Sequence, residues 1–121
     1  MVEGLGTGLA TLGGVIVVNR FRVDLDDPSF RAEAQVALTA LAARPGYVDG
    51  RLGRNVDDPT LWVLTTWWQN VGSYRRALSA YDVKMTAVPL LSRAIDEPSA
   101  FEDAGADDGA ALNQAVPRES D

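Results

Sequence analysis

The sequence predicts an α+β domain whose strands and helices follow one another in the order β-α-β-β-α-β. Three observations indicate this order: the alternating β-branched residues of VIVVNRFRV, a helical spacing of apolar residues after DLDDPSF, and the short turn VDDPT between two extended segments. The chain has 121 residues, which suits one compact domain, and its 46% hydrophobic content is that of a globular protein.

The first strand is predicted over residues 15–23, where β-branched residues alternate. Because neighbouring strand residues point to opposite faces, Asn19 and Phe21 share one face, while Ile16 and Val18 share the other. Asn19 therefore interrupts a strand face that is otherwise apolar.

The first helix is expected to start with Asp27 as its N-cap and Pro28 as its first helical residue. A stripe of apolar residues with helical spacing follows: Phe30, Ala34, Ala37, Leu38 and Leu41. The pair Pro45-Gly46 should end this helix.

The second and third strands are predicted over residues 47–55 and 61–69, and their short connection implies an antiparallel hairpin. The third strand holds all three tryptophans of the chain. Trp67 and Trp68 are adjacent, so they must point to opposite faces, with Trp62 on the face of Trp68.

The second helical segment begins after Asn70, a suitable N-cap, and should break or kink at Pro89. Its predicted apolar stripe consists of Tyr74, Leu78 and Tyr81. A last strand is expected within residues 92–102, where Pro98 favours an edge strand or a bulge.

Together these elements predict the ferredoxin-like arrangement, a four-stranded antiparallel sheet with its helices on one face. The domain should span residues 15–103. Residues 1–14 hold five glycines and are expected to form a flexible arm, and the acidic residues 104–121 are expected to be disordered.

The composition excludes several classes of chemistry. The chain lacks cysteine and histidine, which rules out disulfides, thiolate nucleophiles, a Ser-His-Asp triad and haem ligated by histidine. We therefore expect no metal site, because acidic oxygens alone are poor ligands for zinc or copper. The net charge of −6 argues against a nucleic-acid partner. The lack of a long apolar run or a signal peptide predicts no membrane partner and a cytoplasmic location.

The sheet is expected to make the protein a homodimer. Either face of the third strand would leave a large apolar surface bare in a monomer, and a second copy packed face to face would cover it. The set Trp62, Leu64 and Trp68, joined by Ile16 and Val18, is the candidate for this contact.

Several stretches occur in an informative order: VVNRFRV, ARPGY, LWVLTTWW followed by SYRRAL, and AVPLL leading to DEPSAFE. In this order and spacing, over roughly residues 15–102, the chain resembles the antibiotic biosynthesis monooxygenase family of dimeric α/β barrels. Its superfamily includes oxygenases of aromatic polyketides that need no cofactor, and haem-degrading enzymes. The latter ligate iron through a helix histidine, so haem degradation is not expected here.

The resemblance implies a pocket between sheet and helices that uses an asparagine of the first strand and a tryptophan near the end of the third. Asn19 and Trp67 match these positions. Their face would then be the pocket side, and the face of Trp62 and Trp68 would be the dimer side.

The candidate site residues follow from this match. Asn19, Trp67 and Tyr74 are the predicted catalytic residues, because an amide, an indole and a phenol can orient an aromatic ring and stabilise an oxyanion. The predicted substrate-binding residues are Phe21, Thr65 and Tyr81. Each candidate also has a structural alternative, since a buried amide can be satisfied by the backbone, and aromatic residues of this kind often belong to the core.

Three hypotheses about function stay open at this point. The protein is a cofactor-independent monooxygenase acting on an aromatic or polyketide-like small molecule, a ligand-binding or regulatory protein of the same fold without catalysis, or a structural dimer whose pocket is filled by its own side chains. Oxygen uptake with polyphenolic substrates separates the first two hypotheses.

Overall fold

A computed structural model describes residues 14–105 of the chain. Its elements are β1 (Val15–Arg22), α1 (Phe30–Ala42), β2 (Tyr47–Arg54), β3 (Leu61–Trp68), α2 (Val71–Ser79), α3 (Tyr81–Thr86), α4 (Val88–Leu91) and β4 (Ala100–Glu102). The four strands form one antiparallel sheet in the order β2-β3-β1-β4. This confirms the ferredoxin-like prediction, including the β2-β3 hairpin.

The two predicted terminal segments lie almost wholly outside the described residues. Of the glycine-rich arm only Gly14 is described, and of the acidic tail only residues 104–105. The expectations of a flexible arm and a disordered tail therefore stay predictions.

The first helix starts later than predicted. It begins at Phe30 with Ser29 as the N-cap residue, not at Pro28 after an Asp27 cap. Asp27 instead forms a local turn, in which its carboxylate accepts hydrogen bonds from the Ser29 backbone N–H at 2.9 Å and hydroxyl at 2.8 Å. These bonds lower the pKa of Asp27. The predicted apolar stripe of α1 is confirmed, with Phe30 and Leu41 among its buried residues.

The second helical segment is divided differently from the prediction. Asn70 caps α2 as expected, accepting a bond from the Ser73 backbone N–H at 2.8 Å. The first break comes at Ala80, whose extended backbone separates α2 from α3. A second break at Ala87 precedes Pro89, which occupies the first turn of α4, where the missing N–H costs nothing.

The last strand is short and lies at the edge of the sheet, as Pro98 predicted. β4 pairs only with β1, and Pro98 stands before its first residue, Ala100. The other edge is β2, which enters the sheet through Gly46 at a φ of 91°. A side chain at Gly46 would collide with Ser73. Glycine is therefore required at this turn both for its positive φ and because there is no room for a side chain.

The sheet has one face covered by helices, here called the helix face. Phe30 of α1 contacts Trp62 with ring centroids 5.2 Å apart, and Tyr74 of α2 contacts Trp68 at 5.7 Å. Trp62 and Trp68 are therefore core residues, 8% and 1% exposed. The prediction that their face forms a dimer contact is wrong, because the α1 and α2 side chains already cover it.

The opposite face of the sheet, here called the open face, carries the other residue set of each strand. Trp67 pairs with Ile16, and Ile16 also pairs with Phe101 of β4, so these three side chains form a row across the sheet. Val18 and Val63 lie further along the same face. Most of these residues are half-buried, and Phe101 is 48% exposed. Ile16 and Val18 thus belong with Trp67, not with Trp62 and Trp68.

Two arginines of β1 form ion pairs within the chain. Arg20 donates two bonds of 2.8 Å to the Glu97 carboxylate, and Arg22 pairs with Asp58 at 2.6 Å. Between residues 14 and 105, every helix is too short or too polar to cross a lipid bilayer.

Candidate functional site

Asn19 places a polar side chain in the middle of the helix face. It lies opposite Leu64 of β3, between Val17 and Phe21 of its own strand, and each of these three neighbours is 1% exposed. The Asn19 side chain is half-buried and makes no hydrogen bond to any residue of the described part of the chain. Such an amide is costly unless a ligand or water supplies partners. The expected backbone partner is thus not seen, and the amide is free to bind a small molecule.

Trp67 does not share this face. Its partner across the sheet is Ile16, whereas Asn19 pairs with Leu64, so Asn19 and Trp67 point away from each other on opposite sides of the sheet. The prediction that Asn19 and Trp67 share one face and line one pocket is therefore wrong. The side chains that β3 presents on the face of Asn19 are Trp62, Leu64, Thr66 and Trp68.

Trp68 is the centre of an aromatic cluster on the helix face. Its indole N–H donates a buried hydrogen bond of 2.8 Å to the Thr66 hydroxyl. The Tyr47 ring meets it edge-on with centroids 5.5 Å apart, and the Tyr74 ring is tilted against it at 5.7 Å. This geometry fixes the indole plane and places two phenols beside it.

Burial reinforces the protonated state of these two phenols. Desolvation raises the pKa of Tyr47 and the pKa of Tyr74 above the usual value of 10.0. Both hydroxyls therefore stay protonated at neutral pH, where they can donate a hydrogen bond to an oxyanion.

The other predicted site residues are dispersed. Phe21 is buried against Phe30 at a centroid distance of 5.2 Å, and Thr65 lies on the open face opposite Val18. Tyr81 is 74% exposed at the start of α3, because the break at Ala80 removes it from the stripe of Tyr74. Of the six candidates, Asn19, Phe21 and Tyr74 lie on the helix side of the sheet, and their functional roles stay predictions.

Three cavities lined by described residues lie away from Asn19 and Trp67. The largest, of about 720 Å³, is a surface groove between α1 and α3 that includes Tyr81. The other two, of about 480 and 300 Å³, lie side by side near the β2-β3 turn and share Arg54 and Trp62. Within residues 14–105 no three acidic side chains are grouped so that they could hold a metal ion.

The reasoning from sequence missed Trp68, Thr66 and Tyr47 as components of the site region. One signal could have found Trp68. The set of Trp62, Leu64, Thr66 and Trp68 is bulkier than the set of Leu61, Val63, Thr65 and Trp67 because it holds two tryptophans, so it gains more from the helix-covered face. Asn19 faces the same way as Phe21, which is also a core residue, and this assigns Asn19 to the side of Trp68.

The fold and this site define a class of small α+β domain with an unpartnered amide and an aromatic cluster between one sheet and its helices. The sequence profile of the antibiotic biosynthesis monooxygenase family matches residues 14–86. The chain belongs to this family, as the resemblance predicted.

Solved structures agree with this assignment. SnoaB, a cofactor-independent oxygenase from Streptomyces nogalater, superposes with a TM-score of 0.64 at 27% identity, covering 74% of this chain and 91% of SnoaB. A conserved protein from Methanosarcina mazei Go1 gives a TM-score of 0.65 at 16% identity, covering 78% of this chain and 96% of that one. A protein from Nitrosomonas europaea with a provisional description as an antibiotic biosynthesis monooxygenase gives a TM-score of 0.61 at 14% identity, covering 74% of this chain and 89% of that one. The last two similarities show the fold alone. A search of curated proteins found no match to the chain.

Proposed function

We propose that the protein is a cofactor-independent monooxygenase that acts on an aromatic, polyketide-like small molecule bound on the helix face near Asn19. The observation that carries this proposal is the unpartnered Asn19 amide on an otherwise apolar face. The 27% identity with the oxygenase SnoaB, over 91% of its chain, supports the same chemistry.

The proposed reaction needs no group beyond the substrate, O₂ and the protein. A substrate with an acidic CH₂ group between aromatic rings, such as an anthrone-like phenol, loses a proton and supplies electrons to O₂. One oxygen atom replaces the two hydrogens of the CH₂ group as a carbonyl, and the other leaves as water. The protein has to orient the ring, exclude water and stabilise the developing oxyanion.

The residues of the helix face suit these tasks. The Asn19 amide N–H can donate to the substrate oxyanion, and the protonated Tyr74 hydroxyl can donate to a second oxygen. Trp68 is the indole held near Tyr74 at 5.7 Å, and because it is buried it supports the Tyr74 ring from the core and does not contact the substrate itself. Thr66 positions that indole through its hydrogen bond.

Ligand binding without catalysis is the second candidate function. It is favoured by one observation: none of the three cavities lined by described residues includes Asn19, so none of them encloses the amide in a chamber that would shield oxygen chemistry from water. Binding of a ligand needs only the half-buried amide and its apolar neighbours.

We also propose that the protein is a homodimer through its open face. Ile16, Trp67 and Phe101 form an apolar row there, and no helix within residues 14–105 packs over them. A second copy packed sheet to sheet would remove this row from water. The charged residues Arg20 and Arg22 are neutralised by acids of their own chain, which lowers the cost of bringing two such faces together.

Oxygen uptake by the full chain with anthrone-like phenols tests the proposed activity. The expected result is enzyme-dependent O₂ consumption, with quinone formed in a 1:1 ratio to O₂, that is lost in Asn19→Ala. Substrate-dependent quenching of tryptophan fluorescence without O₂ consumption would establish the non-catalytic alternative. If neither signal appeared with any member of the panel, a structural dimer would be the better description.

A further inference from the structure

A cavity of about 480 Å³ at the turn between β2 and β3 carries an unusual concentration of positive charge. Its charged lining residues are Arg31, from the first turn of α1, and Arg54, from the end of β2, and it contains no carboxylate. The chain as a whole has a net charge of −6. A positively charged cavity on a negatively charged protein attracts anionic ligands that the rest of the surface repels.

The two guanidinium groups are held over one aromatic ring. Their central carbon atoms lie 5.4 Å (Arg31) and 5.2 Å (Arg54) from the centroid of Trp62, which also lines the cavity. Trp62 is buried and fixed by its edge contact with Phe30. The two guanidinium groups are exposed, but their contact with one fixed indole reduces the ordering cost for a ligand that binds both.

Neither guanidinium is neutralised within the described part of the chain. The four described ion pairs use other arginines: Arg20, Arg22, Arg51 and Arg93. Two carboxylates are adjacent to the cavity in sequence: that of Asp58 is already bound to Arg22 and Thr60, and that of Asp57 makes no ion pair with either arginine within residues 14–105. Both guanidinium groups therefore keep donors available for an anion.

Apart from Gly53 and Asn55, the remainder of the lining is apolar. Leu52, Val56 and Pro59 contribute apolar surface, and Val56 is 95% exposed at the rim. The turn that carries Val56 and Pro59 is fixed because the Asn55 side chain accepts bonds of 2.8 Å from two backbone N–H groups, those of Asp57 and Asp58. The cavity thus combines an anion-binding end with an apolar wall, at a volume typical of small-molecule sites.

We propose that this cavity binds a small organic acid, whose carboxylate lies between Arg31 and Arg54 and whose apolar part rests on Leu52, Val56 and Pro59. The planar forks of two arginines match the geometry of a carboxylate, and two such charges suit a single delocalised anion. The site is separate from the Asn19 site, since Asn19 does not line this cavity, and it does not depend on the proposed oxygenase activity.

Calorimetric titration of the full chain with 1-naphthoate tests this proposal, with uncharged 1-naphthalenemethanol as the matched ligand. We expect saturable binding of the acid and at least tenfold weaker binding of the alcohol. Arg31→Gln and Arg54→Gln should each weaken naphthoate binding about tenfold, the usual effect of losing one charge-assisted hydrogen bond. Arg54→Lys, which keeps the charge but loses the fork, should bind with intermediate affinity.

A matched control separates this site from general electrostatics. Arg75→Gln removes the same charge from the exposed surface of α2 and should leave the affinity unchanged. The site is refuted by equal binding of the alcohol, by equal losses in Arg75→Gln and Arg54→Gln, or by inorganic phosphate binding as tightly as naphthoate, which would leave no role for the apolar wall.

Discussion

The indole N–H of Trp68 donates a 2.8 Å hydrogen bond to the hydroxyl of Thr66, two residues earlier on the same strand and face. Both residues are buried, with Trp68 1% and Thr66 3% exposed. An indole of this size would otherwise leave its one donor unsatisfied in the core. The bond therefore permits a tryptophan to fill the space between β3 and the tyrosines that contact it.

Replacing Thr66 should show the value of this bond. In Thr66→Val the shape is kept but the Trp68 N–H loses its acceptor, so we expect the free energy of unfolding to fall by about 1–3 kcal/mol. Urea denaturation measures this change. Thr65→Val is the matched control, because Thr65 lies on the open face, and it should change the stability by less than about 0.5 kcal/mol. Equal effects of the two substitutions would show that the hydrogen bond is not the cause.

Much of the fold could be predicted from local patterns. The alternation in β1 and β3, the helical stripe of α1 and the Asn70 cap each depend on residues close in sequence, and each prediction is confirmed. The Ala80 break was missed because nothing in SAYDV marks an interruption. The backbone turns extended there without proline or glycine, so tertiary packing and not local propensity decides the break.

The candidate site was harder to predict because it depends on register. Alternation along a strand shows which residues of that strand share a face. It does not show which residues of β3 lie on the same face of the sheet as a given residue of β1. That choice is made by the pairing of Asn19 with Leu64 and of Ile16 with Trp67. A slip of one residue would exchange the roles of Trp67 and Trp68, which is the error that the sequence-based assignment contained.

The Asp58 carboxylate should make the stability of the protein depend on pH in strong acid. Hydrogen bonds from Thr60 and Arg22 lower its pKa from 3.8 to about 2. A carboxyl group with a lowered folded-state pKa stabilises the fold fully above its unfolded value, and this contribution disappears as the pH falls through the folded value. We therefore expect the melting temperature of Asp58→Asn to lie below that of the parent at neutral pH, with the difference shrinking from roughly pH 4 to roughly pH 2.

Asp57→Asn provides the comparison for this experiment. Asp57 is exposed in the same turn, and its carboxylate makes no ion pair within residues 14–105. Its difference from the parent should stay small at every pH. If the difference for Asp58→Asn stayed constant down to pH 2, the ionised Asp58 carboxylate would not be the source of the stabilisation.

Substitutions in β3 should distinguish the open face from the helix face. Trp67→Glu places a charge in the apolar row with Ile16 and Phe101, and we expect it to convert the proposed dimer into a folded monomer, measured by light scattering after size exclusion. Trp68→Glu buries the same charge in the core and should unfold the chain instead. Val36→Glu, at an exposed apolar position of α1, should leave the assembly unchanged. A parent that is monomeric, or a Trp67→Glu variant that stays dimeric, contradicts the proposed contact.

Substitution of Asn19 separates an effect on function from an effect on stability. Asn19 makes no hydrogen bond within the described chain and has apolar neighbours, so Asn19→Leu should leave the free energy of unfolding unchanged or raise it by about 1 kcal/mol. The same substitution should abolish oxygen uptake or aromatic-ligand binding, because the donor for the oxyanion is gone. Asn55→Leu is the contrasting control, since the Asn55 oxygen accepts two backbone hydrogen bonds, and it should lower the stability by about 1 kcal/mol while activity is kept. If Asn19→Leu were destabilised as much as Asn55→Leu, the Asn19 amide would have a structural partner. If it retained full activity, the helix face near Asn19 would not be the site.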